Sequence, residues 1–283
     1  MTVLLARLTC RACDSGDLRQ VFSLGDLHLS DFQRPPDPDS HKAPLTLLAC
    51  QGCGLVQLSV SVPRDLLYRE YHYRSGVSEK IKSALGDVVE MASAIVQLQP
   101  GDRVLDIGCN DGTLLDCYPQ DVQQIGVDPS DIAREAVRHS ALPRRVIVHD
   151  YWPLTTYTMP PVWCKVITSI AMLYDVDDLA AFAAAVRDWM HPDGVWVIEV
   201  ADLRQMLMRN AFDTICHEHV TYWDAPTLQK WLESQGFYAH IWAPTQVNGG
   251  SIRVFAKFKP IVNSAYSQSF PSITDQDSFF QRF

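Results

Sequence analysis

Between Arg103 and Val200 the chain repeats one alternation, a short apolar run followed by a stretch with helical spacing. The runs are Arg103–Ile107, Gln123–Val127, Arg145–Val148, Cys164–Ile170 and Val195–Val200. Helical stretches fall near Thr113–Cys117, Asp131–Ser140 and Asp178–Met190, and again at Ala225–Gln235. Strands linked by helices pair in parallel through right-handed crossovers, and the helices cover both faces of the sheet. The pattern therefore predicts an α/β fold with a Rossmann-like, doubly wound sheet. After Gly236, the extended runs Phe237–Trp242 and Ser251–Phe258 are separated only by the Pro244–Gly250 loop, which predicts an antiparallel hairpin at the sheet edge. Upstream, Ser78 is placed to cap a helix reaching about Gln97, with Ile81, Leu85, Val88, Val89, Ala92 and Ile95 on one side.

The N-terminal part obeys a different constraint. Of eight cysteines, four are paired as Cys10-Arg-Ala-Cys13 and Cys50-Gln-Gly-Cys53. Two such turns facing one another supply the tetrahedral sulfur shell of a structural Zn2+, with no open coordination position for catalysis. Four free buried thiols or a redox dithiol are the other readings of the same residues. The 36 residues between the pairs exceed the ~15–20 of a compact ribbon, so the spacer must fold back on itself, with Arg34–His41 as a loop. The chain then divides into a zinc-binding module at 1–62, a connector and helix at 63–100, a sheet domain at 101–259 and a tail at 260–283. On this division, loss of Cys10 should release zinc and leave the sheet domain folded.

Charge narrows the function classes. Lys and Arg number 24 against 33 Asp and Glu, a formal net charge of −9, which disfavours sequence-independent binding to nucleic acid. No apolar run approaches the ~18–20 residues of a membrane span, and Met1–Cys10 lacks the features of an export signal. A cytoplasmic protein acting on a small molecule is expected.

The first strand ends in Asp106 and runs into Ile-Gly108-Cys-Asn110-Asp111-Gly112. Glycines there let the backbone approach a ligand at the carboxyl end of a strand. The second strand ends in Asp128, 22 positions after Asp106, where a carboxylate can accept from both ribose hydroxyls of an adenosine. The turn lacks the G-x-G-x-x-G and P-loop patterns. Its two acids would repel phosphate but suit a cationic sulfonium and an ammonium group, so S-adenosylmethionine is the expected cofactor. Further on, Phe212-Asp-Thr-Ile-Cys-His217-Glu218-His219-Val-Thr-Tyr222 concentrates acid–base groups just after the fifth strand. Imidazole can remove a proton near neutrality, and a neighbouring carboxylate raises its basicity. A metal cluster or a structural histidine are the alternatives.

The loop from Asp106 to Gly112, and His191-Pro-Asp-Gly-Val-Trp-Val-Ile-Glu199, resemble two motifs of class I methyltransferases. Further segments resemble a narrower family, the nucleotide-sugar C-methyltransferases of deoxysugar biosynthesis. They are Cys50-Gln-Gly-Cys-Gly-Leu-Val-Gln-Leu58, Tyr71-His-Tyr-Arg-Ser-Gly-Val-Ser78, Phe212–His219 and Asn248-Gly-Gly-Ser-Ile-Arg253, in matching order over residues 10 to 257. The resemblance implies that Asp106, Gly108, Asn110, Asp111 and Gly112 meet the methionine part, Asp128 and Pro129 the ribose, and Asp150 the adenine edge. It also implies that methylation occurs at carbon beside a ketone in a TDP-linked 4-keto-6-deoxysugar. His219 would be the base, with Glu218 beside it and Tyr73 as a substrate-facing hydroxyl, a packed core aromatic being the other reading of Tyr73; His217 and Tyr222 are further catalytic candidates from the same acid–base stretch. An O- or N-methyltransferase, or a non-catalytic scaffold on the same fold, are the competing readings. Three positions depart from the family pattern: Cys216 replaces a Tyr, and Asp175 and Asn248 each replace a His. The family's further α/β domain, which holds the nucleotide-sugar, has no counterpart after Phe258, which implies a partner subunit or another surface in that role, or a changed acceptor.

Overall fold

The computed structural model describes residues 4–29, 41–139, 144–155 and 161–259. The expected tail from Pro260 and nearly all of the Arg34–His41 loop lie outside the described residues.

At the N-terminus, strands β1 (Leu5–Ala6), β2 (Leu18–His28), β3 (Lys42–Cys50), β4 (Val56–Leu58) and β5 (Val60–Ser61) surround the two cysteine turns. The spacer folds back as the antiparallel β2–β3 hairpin, which brings Leu18 opposite Cys50. Helix α1 (Asp65–Tyr68) leads to α2 (Glu79–Val96), capped by Ser78 as the sequence predicts and closed by Gln97 in the left-handed region.

The alternating region forms β6 (Arg103–Ile107), α3 (Thr113–Asp116), β7 (Gln123–Val127), α4 (Asp131–His139), β8 (Arg145–Val148), β9 (Cys164–Ile170), α5 (Leu179–Trp189) and β10 (Met190–Ala201). Then follow α6 (Leu203–Arg209), β11 (Thr221–Tyr222), α7 (Ala225–Ser234), β12 (Tyr238–Thr245) and β13 (Ser251–Lys257). Seven strands make one sheet in the order β12-β13-β10-β9-β6-β7-β8. Its middle strands are parallel, and β13 runs antiparallel to both β10 and β12. The direction of winding reverses between β6 and β9, and ligands bind at the carboxyl ends of strands at such a point.

Alternate residues of the central strands feed two separate cores. Val104, Val166, Val195 and Val197 pack with Leu85, Val88 and Ala92 of α2 on one face. Leu105, Ile167, Trp196 and Ile198 pack with Phe182 and Val186 of α5 and Leu228 and Trp231 of α7 on the other. Both faces are apolar because both are covered, which is why the strands lack polar alternation. Among the described residues no helix is long and apolar enough to cross a membrane.

A second sheet, β11-β4-β3-β2, crosses the division expected at residue 62. Its edge strand comes from far along the chain, with Thr221 opposite Gln57 and Tyr222 opposite Val56. Cys10, Cys50 and Leu55 belong to the same core as α5 and α7. Arg11, buried between the first two cysteines, donates from Nε to Asp177 at 2.9 Å and from Nη1 to the Leu58 carbonyl at 2.8 Å. The cysteine module and the large sheet therefore share apolar packing. This packing argues that the sheet domain is not indifferent to loss of the module. Cys10→Ser is expected to lower a single cooperative unfolding transition of the whole chain by about 2–5 kcal/mol. Calorimetry checks this, and an unchanged second transition assigned to the sheet domain would contradict it.

Candidate active site

The cysteine pairs converge as their spacing predicts. Each turn closes on its own backbone, Asp14 N–H to the Cys10 carbonyl at 3.0 Å and Gly54 N–H to the Cys50 carbonyl at 2.9 Å. Asp14 and Gly54, each following the second cysteine of its pair, both have positive φ, a conformation that glycine adopts at no steric cost. The Sγ atoms of Cys10, Cys13, Cys50 and Cys53 lie within 4.8 Å of one another, with Cys10 and Cys53 3.5 Å apart and Cys13 and Cys50 3.6 Å apart. Sulfurs bound tetrahedrally at ~2.3 Å from Zn2+ stand about 3.8 Å apart, so the donor set fits that ion.

At the carboxyl ends of β6 and β9 opens a cavity of about 800 Å3. Asp106, Gly108, Asn110, Asp128, Pro129 and Asp150 all line it, together with Tyr73 and His219. Asp111 and Gly112 stand outside the lining. The Asp111 carboxylate instead accepts from the Gly76 N–H at 2.9 Å and the Thr113 hydroxyl at 2.6 Å. Asn110 Nδ2 donates to the Tyr73 carbonyl at 2.8 Å. Both side chains thus tie the loop after β6 to residues 73–76. Gly108, at φ 76°, turns the backbone back so that its N–H reaches the Val127 carbonyl at 2.8 Å.

Three acids mark the sheet end of the cavity. Asp106 is buried, accepts from the Thr168 hydroxyl at 2.6 Å, and is pushed up to about 7 by loss of water, with Asp128 adding repulsion. Asp128 accepts from the backbone N–H groups of Asn110 and Ser130 at 2.9 and 2.8 Å. Asp150 accepts from Tyr151 N–H and from both donors of Thr155. Tyr151 next to it lies under the Arg64 guanidinium, 3.8 Å from the ring centre, and donates its hydroxyl to Asp65.

Residues 217–222 diverge in role. His217 is buried, and its Nε2 lies 3.0 Å from the Ala43 carbonyl, so it donates there and braces β3. Tyr222 is buried on β11 against Leu47, Leu58 and Met206. Neither reaches the large cavity, which corrects their expected places beside the base: β11 pairs with β4 and turns them into the smaller core. Glu218 is not among the residues that line the cavity, and its carboxyl raises the pKa of the neighbouring Cys216 thiol, after burial. His219 does reach the cavity. Its Nδ1 lies 3.0 Å from the Thr214 carbonyl, and the ring packs 4.2 Å from that of Tyr174. A carbonyl oxygen only accepts, so Nδ1 carries the proton and Nε2 keeps its lone pair. Burial lowers the ring's pKa against the opposing pull of Thr214 and Glu218, so it is neutral near pH 7.

Sequence reasoning alone missed further lining residues: Tyr68 and Tyr71 near α1, and the buried pair of Glu199 and Arg253, 2.7 Å apart across β10 and β13. Tyr71, Glu199 and Arg253 stand within segments that carry a family resemblance, and that was their one available signal.

A family model described as a methyltransferase domain matches residues 77–240, more than half of the chain. The chain belongs to the methyltransferase-domain family. A second model, for a zinc binding domain, matches residues 10–68. The chain is 27% identical over 254 residues to the C-methyltransferase NovU of Streptomyces niveus, covering 87% of this chain and 60% of that protein. It is 29% identical over 133 residues to a ubiquinone biosynthesis O-methyltransferase of Rhodopseudomonas palustris (strain BisA53), 46% of this chain and 51% of that one. It thus spans between half and three-fifths of the length of these relatives. Among solved structures, the YcgJ protein of Bacillus subtilis superposes with a TM-score of 0.50 at 13% identity, over 62% of this chain and 99% of that one. The BH2331 protein of Bacillus halodurans C-125 gives the same values. The fold is that of class I, S-adenosylmethionine-dependent methyltransferases, with a mostly parallel central sheet and an N-terminal cysteine cluster.

Replacing His217 by Ala leaves the Ala43 carbonyl buried without its donor. The expected cost is about 1–3 kcal/mol of stability, with turnover per folded molecule unchanged; denaturant titration alongside an activity assay checks both.

Proposed function

We propose that the chain methylates carbon beside the carbonyl of a nucleotide-linked keto-deoxysugar. The observation that carries this reading is the neutral His219, with Nε2 basic, on the wall of the cavity that also holds Asp106 and Asp128. Similarity to a C-methyltransferase along most of this chain supports it. A partner subunit, or another surface of the protein, that grips the nucleotide end belongs to the same proposal.

The cavity fits the cofactor by charge. Asp106 is buried and, with only Thr168 lowering its pKa, remains half-neutral near pH 7. A ligand ammonium or sulfonium beside it would favour the ionised form. Asp106, Gly108 and Asn110 would hold the amino-acid end, Asp128 and Pro129 the ribose, and Asp150 the adenine edge. When bound, S-adenosylmethionine supplies a methyl group activated by positive sulfur. The chain's own work is to make a carbon nucleophile. His219 Nε2 takes the C–H proton next to the acceptor's carbonyl, the C–H pair becomes a C=C bond, and the carbonyl π pair moves to oxygen. The resulting imidazolium returns its proton to water.

Incubating the protein with a TDP-linked 4-keto-6-deoxysugar in deuterated water should produce deuterium exchange at the α carbon, lost in His219→Ala. A turnover loss of about 10²–10⁴ is expected for that variant, with cofactor affinity retained. Methylation on oxygen or nitrogen without exchange would refute the carbon reading.

The cofactor site has its own pH signature. Asp106 ionises only as pH rises through about 7, so affinity for the cationic cofactor should tighten across that window and level off above it. Asp106→Asn should bind about 10-fold more weakly or worse, without this dependence. Calorimetry from pH 6 to 8.5 measures both.

A further inference from the structure

Asp175 also faces this cavity, and the enolate step above does not use it. It ends the short 3-10 turn Leu173–Asp175 that follows β9, next to Tyr174, whose ring packs against His219. Its Oδ1 is shut off from solvent and, among the described residues, has no hydrogen-bond partner. The groups coupled electrostatically to Asp175 come from three neighbouring segments. Glu218 and Cys216 lie before β11, Tyr222 on it, Tyr68 and Tyr71 at and just after α1, and Tyr174 on the same turn. None of them is a cation, and His219 is neutral. A carboxylate with one oxygen shut off from water and given no donor favours the protonated form. Burial first, and Glu218 second, drive Asp175 well above the ordinary carboxylate range.

A carboxyl held neutral changes its chemical use, because it becomes an O–H donor instead of an acceptor. Enolate formation places negative charge on the former carbonyl oxygen, and a donor fixed at that position is worth most where water is excluded. A carboxylic acid kept neutral by an apolar site is one established form of such a donor. We propose that Asp175 is a second catalytic residue, donating the hydrogen bond of its neutral carboxyl to the acceptor's carbonyl oxygen while His219 removes the adjacent C–H proton. The inference rests on the enolate reading above. The bookkeeping balances: the carbon-bound proton goes to His219 Nε2, the carbonyl π pair goes to oxygen, and the Asp175 proton stays on its carboxyl throughout. The two groups form a neutral acid and a neutral base acting on adjacent atoms. A histidine in place of Asp175 could be neutral or charged; the carboxyl must be neutral to serve.

The test uses deuterium exchange into a TDP-linked 4-keto-6-deoxysugar by the wild-type protein, Asp175→Ala and Asp175→Asn, with calorimetric binding of S-adenosylmethionine confirming that each variant is folded. Asp175→Ala should slow exchange about 10²-fold. Asp175→Asn, which keeps an N–H donor of similar reach, should recover about a tenth or more of the wild-type rate. The wild-type rate should fall at alkaline pH as Asp175 ionises, a limb that the Asn variant lacks. Infrared difference spectra of the free protein at neutral pH should show a protonated carboxyl band that disappears in Asp175→Asn. An Ala variant at full rate, or an Asn variant as slow as Ala, overturns the proposal. Wild-type exchange without the infrared band overturns it and leaves the enolate reading standing. Absence of exchange in the wild type overturns both.

Discussion

The loop that carries His219 is held from outside itself, and the arrangement of the cavity follows from that. Its one strand, β11, is two residues long and has β4 as its partner. Tyr68 donates to the Glu218 carbonyl at 2.8 Å, and Thr221 Oγ1 donates to the Tyr174 carbonyl at 3.3 Å. β4 is fixed in turn by Gln57, which accepts from the Arg11 N–H at 2.8 Å and donates to the Thr9 carbonyl at 3.1 Å. A continuous set of contacts therefore runs from the cysteine turn, through Arg11 and Gln57, to β11 and the imidazole. The zinc module has no open coordination position and needs none, since its contribution is to hold a backbone in place.

Charge in the cavity is organised by how each acid is satisfied. Asp128 and Asp150 accept several hydrogen bonds, and Glu199 is paired with Arg253, whose Nη2 also reaches the Ala84 carbonyl. Asp106 and Asp175 receive little of this, and both are driven toward the neutral form. A carboxyl driven toward the neutral form needs no cation, so a chain of net charge −9 can enclose a cluster of carboxyls without matching each with a positive group.

Much of the fold could be read from the residues because it rests on local period. The strands Arg103–Ile107, Gln123–Val127, Arg145–Val148 and Cys164–Ile170 fall where apolar runs place them, and Ser78 caps its helix as expected. Helix α6 was missed, since Leu203–Arg209 is short and has only its Asp202 cap to announce it. The candidate site was less legible. His217 and His219 are the same residue type two positions apart; partners remote in sequence, the Ala43 carbonyl for His217 and the Tyr174 ring for His219, decide which one faces the cavity. Asp111 read as a ligand acid because it sits in the loop after β6, yet its oxygens close that loop on Gly76 and Thr113. Loop conformation and distant partners, not composition, determine such outcomes.

The annexed edge strand has a consequence for biogenesis. Gln57 meets Thr221, a separation of 164 residues. On the ribosome the cysteine turns emerge early, with their ion-binding sulfurs, while the last strand of their own sheet is still unmade. Until that strand arrives, β4 presents an open edge in the nascent polypeptide. The N-terminal module therefore matures only after five of the seven strands of the large sheet have been synthesised, and occupancy of its metal before that point favours keeping the exposed border short and orderly.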